Sequence, residues 1–135
     1  MNAKIILIFT STCIISLDAC GPFTPKHTAC QMCKPFETNL IRRNSSFVFV
    51  EKITVSYGMN NDKCKFAVLQ CSNPAAKDIL IEWYDQSGTG VGITGVITYT
   101  LKVIALITCD YNSQWILTEN DQTEIIQSAT CEYIQ

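Results

Sequence analysis

Cys30 and Cys33, the two cysteines of the stretch CQMC, are the residues of this sequence whose types and spacing best suit a chemical role. A C-x-x-C pair has three common uses. It can be half of a zinc site, the redox pair of a thioredoxin-like enzyme, or two anchors of a disulfide framework. The other cysteines, and the elements that must position them, decide among the three.

The surrounding residues argue against zinc and against redox catalysis. A structural zinc site commonly takes two close pairs of ligands, but Cys64 and Cys71 are seven positions apart, and the only histidine, His27, lies in a polar lead-in. A thioredoxin-type pair needs its first thiol at the start of a helix that follows a strand. CQMC instead follows the Pro-containing segment GPFTPKHTA. The pattern therefore favours disulfide anchors, with a thiol-disulfide redox pair as the alternative.

The first residues of the chain indicate the compartment in which the cysteines react. Residues 1–19 begin with a single charge, Lys4, ahead of the mostly apolar run IILIFTSTCIISL, which is typical of a secretory signal peptide and too short to span a bilayer. We predict a secreted, extracellular protein with a short leader at residues 20–29 and a β domain at residues 30–135. The six cysteines of that domain are most simply three disulfides in an oxidising compartment.

Cys20 is a seventh cysteine whose fate depends on signal cleavage. Cleavage after Ala19 would retain it, and cleavage after Gly21 would remove it. Because an odd thiol in an oxidising compartment tends to find an intermolecular partner, the first cleavage predicts a Cys20-linked homodimer. The second predicts a monomer.

Strand geometry narrows the fifteen pairings that six cysteines allow. In CKFAVLQC, Cys64 and Cys71 fall on opposite faces of a regular strand and should not pair with each other. Cys71 lies on the apolar face of its strand, and Cys109 ends the most apolar strand face of the chain. We therefore predict a Cys71–Cys109 bridge across the core. We also predict that Cys30 and Cys33 each form a disulfide with one of the two remaining cysteines, Cys64 and Cys131.

Alternating apolar and polar residues predict strands along most of the chain. VITYTLKVIALITC at residues 96–109 places apolar side chains and Cys109 on one face, and threonines and a lysine on the other. FVFVEKITVSY alternates similarly but is interrupted at Glu51, where a bulge or a split into two strands is expected. TENDQTEIIQ could form one helical turn capped by Thr118 or Asp121, or a strand. Shorter strands are predicted in CKFAVLQC, ILIEWY, SQWILT and EIIQSATC.

Six or seven short strands separated by turns indicate the fold class. We predict an all-β protein, a small disulfide-stapled antiparallel β-sandwich that is immunoglobulin-like in general architecture. The formal net charge of −2, with no basic cluster beyond Arg42–Arg43, argues against nucleic acid or an anionic membrane as a partner.

The cysteine spacings resemble those of a known family. The C-x-x-C pair at Cys30 and Cys33, the C-x6-C pair at Cys64 and Cys71, the cysteine of CDYNSQW and the last cysteine in QSATCEY together resemble the C-six (six-cysteine) domain of secreted nematode proteins. The similarity covers residues 30–133. It implies an extracellular domain with three disulfides and no established biochemical function.

A second similarity is to immunoglobulin-like sandwiches. In those domains a core cysteine is followed by a strand-borne tryptophan and then by a second core cysteine. Cys71, Trp83 and Cys109 follow that order, but the separation between Trp83 and Cys109 is too short for the usual intervening strands. The pattern supports a sandwich with a bridge between its sheets and not membership of that family.

Other motifs predict no catalytic, cofactor or metal site. Residues 90–95, GVGITG, satisfy G-x-G-x-x-G, but they lead into a strand and do not open a helix. A catalytic triad or a Cys/His dyad would have to use His27 in the leader. Trp83 and Trp115 could form a ligand-stacking surface but are expected in the core. We therefore predict that the protein is not an enzyme.

One modification site is predicted. Asn44 begins the sequence Asn-Ser-Ser, which fits the N-x-[ST] acceptor pattern in a chain that enters the secretory pathway. We expect a glycan on Asn44.

The favoured function is a secreted, non-enzymatic binding or structural module whose loops or sheet face contact an extracellular macromolecule of unknown identity. Two alternatives are a thiol-disulfide redox protein that uses the C-x-x-C pair and a carrier that holds a small apolar ligand inside the sandwich.

Overall fold

Strands dominate the part of the chain that the computed structural model describes, which is residues 28–38, 47–95 and 101–134. A 3-10 turn at Ala29–Gln31 precedes them. No helix in these ranges is long and apolar enough to cross a membrane. The strands are β1 (Glu37–Thr38), β2 (Phe49–Glu51), β3 (Thr54–Met59), β4 (Lys65–Ser72), β5 (Asp78–Tyr84), β6 (Gly90–Thr94), β7 (Lys102–Cys109), β8 (Trp115–Glu119), β9 (Gln122–Ile126) and β10 (Ser128–Ile134).

Several predicted features lie outside the described residues. They are the signal peptide at residues 1–19, the leader cysteine Cys20, His27 and the glycosylation residue Asn44.

The strands form two sheets that pack face to face. Sheet A has the order β6-β5-β10, with β1 and β2 both pairing with the free edge of β10. Sheet B has the order β3-β4-β7-β8-β9 and is antiparallel throughout. Only the short pairing of β1 with β10 is parallel in the described residues. The predicted all-β, disulfide-stapled antiparallel sandwich is confirmed.

The core lies between the sheets and follows the alternation of the sequence. Inward side chains of sheet A come from β5 and β10, and those of sheet B come mainly from β4 and β7. Burial alternates along β7 from Val103 to Cys109, as the sequence predicted for this part of the run. The largest fully buried side chains include Trp83, Leu69, Ile79, Ile81 and Ile107.

Aromatic rings occupy the space between the sheets. The Phe36 ring meets Trp83 and Trp115 edge to face, with centroid separations of 6.2 Å and 6.3 Å. Trp83 Nε1 donates to Thr94 Oγ1 at 2.8 Å, and the Thr94 hydroxyl donates to Glu119 at 2.7 Å. This chain of hydrogen bonds connects sheet A to β8 of sheet B and satisfies the indole N–H. Both tryptophans belong to the core, as predicted.

The interruption at Glu51 marks the point where the chain changes sheets. β2 ends at Glu51 in sheet A, and β3 begins at Thr54 in sheet B. Because of this split, the odd positions of FVFVEKITVSY do not share one buried face. Ile53 is buried, whereas Phe47 is 77% exposed.

Three hairpin loops share one local design. Each starts with Asn or Asp, whose Oδ1 accepts the backbone N–H four residues later at 2.8 to 2.9 Å. The fourth residue of each loop has a positive φ, between 60° and 79°. Such Asx-type side-chain bonds stabilise a tight reversal of the chain. The loops are Asn60–Cys64, Asp85–Thr89 and Asp110–Gln114.

The three loops close at the same end of the sandwich. Phe66 pairs with Thr108, which brings the β3–β4 and β7–β8 loops together. Tyr84 pairs with Ser128, directly after β9, which places the β5–β6 loop at that end too. In that loop, hydrogen bonds from the Ser87 hydroxyl and from the Thr89 N–H lower the pKa of Asp85.

The β8–β9 connection resolves the ambiguous stretch TENDQTEIIQ in favour of strands. Asn120 and Asp121 have φ values of 51° and 62°, as a two-residue type I′ hairpin requires. Of the two alternatives left open by the sequence, the strand is correct and the helical turn capped by Thr118 or Asp121 is not, because Asn120 and Asp121 reverse the chain between paired strands.

All six cysteines of the domain form disulfides, but only one of the three bridges, Cys30–Cys64, is among the predicted pairs. The bridges are Cys30–Cys64, Cys33–Cys109 and Cys71–Cys131. As predicted, Cys64 and Cys71 are not bonded to each other. Cys30 is bonded to Cys64, which is one of its two predicted partners.

The predicted Cys71–Cys109 bridge is wrong because both cysteines belong to one sheet. β4 and β7 are antiparallel neighbours, and Cys71 lies opposite Val103. Cys109 is six residues farther along β7, which at about 3.3 Å per residue places it about 20 Å away, well beyond disulfide reach. Cys131 lies on the facing sheet with its Cα 5.6 Å from that of Cys71. In the immunoglobulin-like order of core cysteine, core tryptophan and second core cysteine, the second cysteine is therefore Cys131 and not Cys109.

The connectivity can be checked by peptide mapping. Cyanogen bromide cleaves after Met32 and so separates Cys30 from Cys33, while trypsin and endoproteinase Asp-N separate the other four cysteines. We expect mass spectrometry to find the Cys30 peptide linked to that of Cys64. The other two linked pairs should be Cys33 with Cys109 and Cys71 with Cys131. A peptide containing Cys71 linked to Cys109 would contradict the sheet arrangement.

The alternation along β7 predicts opposite results for two neighbouring residues. Ile107 is fully buried, whereas Leu106 is 56% exposed. Ile107→Ala should lower the free energy of unfolding by about 2–5 kcal/mol because it leaves a cavity, and Leu106→Ala should lower it by less than about 1 kcal/mol. Urea denaturation at low protein concentration measures both. Equal losses would show that the two faces are wrongly assigned.

Candidate functional site: an apolar sheet face

The C-x-x-C pair anchors the N-terminal segment to sheet B. Cys30 and Cys33 are both buried and form separate disulfides, to Cys64 beside β4 and to Cys109 at the end of β7. Neither can act as the free or mutually bonded thiol that thiol-disulfide exchange requires. Within the described residues, no group of three or more His, Cys, Asp or Glu side chains could hold a metal ion. The C-x-x-C pair is therefore structural in this fold.

Hydrogen bonds add to these two disulfides and hold residues 29–34 over the loop end of the sandwich. Each joins a side chain to a backbone carbonyl at 2.7 to 2.9 Å. The donor-to-acceptor pairs are Gln31 Nε2 to Lys63, Lys65 Nζ to Cys33, Ser113 Oγ to Ala29 and Trp115 Nε1 to Lys34. This segment covers the end of the core next to Trp115.

A groove runs beside this covering segment. Its volume is about 500 Å³, and its walls include Met32, Pro35, Trp115 and Ile125. The volume is in the range of ligand sites, but such sites need polar groups that converge on the ligand. The Trp115 N–H and the Ser113 hydroxyl on its wall already donate to backbone carbonyls. Its other walls include Lys34, Glu37, Gln86, Gln114 and Gln127, so the groove lacks the mainly apolar lining of a typical small-molecule site and is a weak candidate for one.

The outer face of sheet A carries polar groups that bond to one another. The Tyr84 hydroxyl donates to Glu82 at 2.6 Å, and the Thr130 hydroxyl donates to Glu132 at 3.0 Å. Tyr84 and Thr130 lie 3.4 Å apart through their hydroxyl oxygens. Burial raises the pKa of Tyr84, and the bond to Glu82 raises it further. These polar atoms are satisfied within the protein and favour structure over catalysis.

The outer face of sheet B is apolar. Residues paired across antiparallel strands share a face, so the register places the side chains between the inward ones together on the solvent side. Ile104 and Leu106 are each 56% exposed, and Ile125 is 54% exposed. We call this surface the apolar face. Its central residues are Phe66, Val68, Ile104, Leu106, Ile116 and Ile125.

The other outward positions of sheet B carry small or polar side chains, one of which is charged. Among the residues that the structure describes, Lys102, opposite Ser72, is the only charged one at an outward position of sheet B. Gly58 on β3 lies under the Phe66 ring, and a Cβ at that position would overlap the ring. The glycine therefore allows Phe66 to lie flat across the neighbouring strand. The other small or polar residues at outward positions are Thr54, Ser56, Gln70, Thr108, Thr118 and Thr123.

A sequence signal for this face exists in β7. The prediction of a half-buried strand rested on polar residues such as Lys102 and Thr108 on the outer face. Between them, residues 103–107 read VIALI, an unbroken apolar run. Such a run is typical of strands covered on both faces. In this protein the inner face is covered by sheet A, and Ile104 and Leu106 lie uncovered on the outer face.

Three comparisons with known proteins find no relative of the chain. No protein-family model, no curated protein and no solved structure matches it. The resemblance to the C-six domain of secreted nematode proteins stays a prediction based on cysteine spacing. Function is therefore argued from the site, because a fold by itself does not identify an activity.

Proposed function

We propose that the protein is a secreted, non-enzymatic binding module that uses the apolar face of sheet B to contact another macromolecule outside the cell. The observation that carries this proposal is the exposure of Ile104, Leu106 and Ile125 on one continuous sheet surface. Large exposed apolar patches on soluble proteins mark interaction sites, because covering them removes apolar surface from water.

The disulfides support an extracellular location. Three bridges, all between buried cysteines, join segments that are distant in sequence. Disulfides of this kind form and persist in oxidising compartments. Together with the signal-like sequence of residues 1–19, they favour secretion.

The shape of the face favours a macromolecule as the partner. Small-molecule sites are concave, whereas this surface is a regular sheet of five strands. Nucleic acids and anionic membranes are bound through clusters of Lys and Arg. With Lys102 as its one charge, the apolar face favours a protein surface that is itself apolar.

The geometry weighs against the two alternative functions. A redox role would need an accessible thiol at Cys30 or Cys33, and both sulfurs are buried in separate bridges. A carrier would need space between the sheets, where the rings of Phe36, Trp83 and Trp115 pack against one another. Binding through an outer surface fits the structure better than either.

Secretion can be tested through the mature N-terminus. Expression of the whole chain in a eukaryotic secretory host should release protein that lacks residues 1–19 and carries a glycan on Asn44. Intact mass without reduction should show Cys20-linked dimers if cleavage follows Ala19. Retention of residues 1–19, or an Asn44→Gln variant with unchanged mass apart from the substitution, would contradict the corresponding part of the proposal.

The binding role is tested by affinity capture with matched variants. Ile104 and Ile93 are both exposed isoleucines on strands, at 56% and 49%, but Ile104 lies on the apolar face and Ile93 on the outer side of sheet A. Immobilised Ile104→Lys should capture at least tenfold less of the partner from the native extracellular fluid than wild type. Ile93→Lys should capture the wild-type amount.

Equal stability of the two variants in urea is the control for folding. Undiminished capture by Ile104→Lys, or equal losses in both variants, would count against the apolar face as the binding surface.

A further inference from the structure

We infer that the partner of the apolar face is a second copy of this chain, in a symmetric dimer in which two B sheets pack face to face. The inference rests on the proposed function, since it names the occupant of the same surface. Three observations carry it: the charge pattern of the face, its regular geometry and its size.

The charge pattern suits self-association. In a twofold dimer the same patch contributes both sides of the interface, so every charge on the patch is duplicated across it. Lys102 lies at the margin of the apolar face, where β7 begins, and the centre around Leu106 is uncharged. Two copies can therefore cover each other's apolar residues without bringing like charges together at the centre.

The outer face of sheet A is unsuited to the same pairing. Glu82 and Glu132 occupy its central strands β5 and β10, close to one another through Thr130. Ser128, Thr130 and Glu132 on β10 are each at most 6% exposed, so this part of the face is not open to a second copy. Of the two outer faces, that of sheet B therefore offers the exposed apolar residues that a second copy would cover.

The geometry of sheet B suits packing against another sheet. Its strands pair without a register shift, whereas in sheet A the register shifts between Trp83 and Tyr84. Regular sheets pack face to face at about 10 Å with their side chains interdigitated. The outward Phe, Val, Ile and Leu side chains at the centre of the face supply the apolar part of such a layer.

The size of the face is in the range that a dimer needs. Five strands at about 4.8 Å spacing and about 3.3 Å per residue give a surface of about 24 Å by 20 Å, or about 500 Å² in projection. Two such faces together exceed the threshold of about 1,000 Å² in total that a specific interface should reach, because the accessible area of a surface with side chains is larger than its projection. Covering the whole face therefore yields a specific but reversible dimer.

The dimer is tested by sedimentation velocity of the secreted protein over a wide concentration range. Cys20→Ser serves as the background, so that any dimer is non-covalent. The weight-average mass should double as concentration rises, and Ile93→Lys should behave in the same way. Leu106→Lys and Leu106→Glu should each weaken the dimer at least tenfold, because β7 is the middle strand and Leu106 lies near the centre of the face.

A charge-swap experiment separates self-association from loss of folding. Mixing Leu106→Lys with Leu106→Glu should restore a dimer that either variant alone fails to form, since opposite charges then meet across the interface. A wild type that stays monomeric at every concentration, or a dimer unaffected by both Leu106 variants, would overturn the inference.

The experiments distinguish failure of the dimer from failure of the proposed binding function. Monomeric wild type combined with Ile104-dependent capture from the extracellular fluid would overturn the dimer and leave the binding role standing, with a different protein as partner. Monomeric wild type without Ile104-dependent capture would overturn both. A dimer that mixing Leu106→Lys with Leu106→Glu restores supports both.

Discussion

The covalent contact between Cys71 and Cys131 at the centre of the sandwich is the constraint on which the rest of the structure depends. It joins β4 of sheet B to β10 of sheet A, and both residues are fully buried. Its sequence separation of 60 corresponds to about 4 kcal/mol of loop-closure stabilisation in the chain-entropy treatment. Because side chains alternate along a strand, two cysteines that must point inward also determine which neighbours point inward. The composition of both outer faces follows from this.

The other two bridges make the ends of the sandwich different. Through Cys30 and Cys33, the N-terminal segment is attached across the end where three Asx-initiated hairpin loops meet. There Phe36 packs against Trp115, so the core is closed by residues that precede the first strand. The C-x-x-C spacing, which in another setting would suit catalysis, here places two sulfurs against two different points of sheet B. The broad surfaces that remain are the outer faces of the sheets.

The two outer faces differ in polarity and in how far their side chains are exposed to water. On sheet A, hydroxyl and carboxylate groups of Tyr84, Glu82, Thr130 and Glu132 form a connected network. On sheet B, aliphatic side chains such as Leu106 meet water directly. Exposed apolar area of this kind is unfavourable for an isolated monomer, and its burial by a partner converts that cost into binding free energy. The asymmetry between the faces is the structural argument for the proposed binding role.

Alternation in the sequence was enough to predict strands, the inward face of β7 that ends at Cys109, and the break at Glu51, because a period of two is a local property of the chain. The number of cysteines likewise predicted three disulfides. Which sheet holds each strand could not be read in this way, so the predicted partner of Cys71 was on the wrong strand. The same lack of information hid the apolar face, since VIALI is compatible with burial on either side. Strand neighbours and face coverage are decided by contacts between residues distant in sequence, and only the tertiary structure determines them.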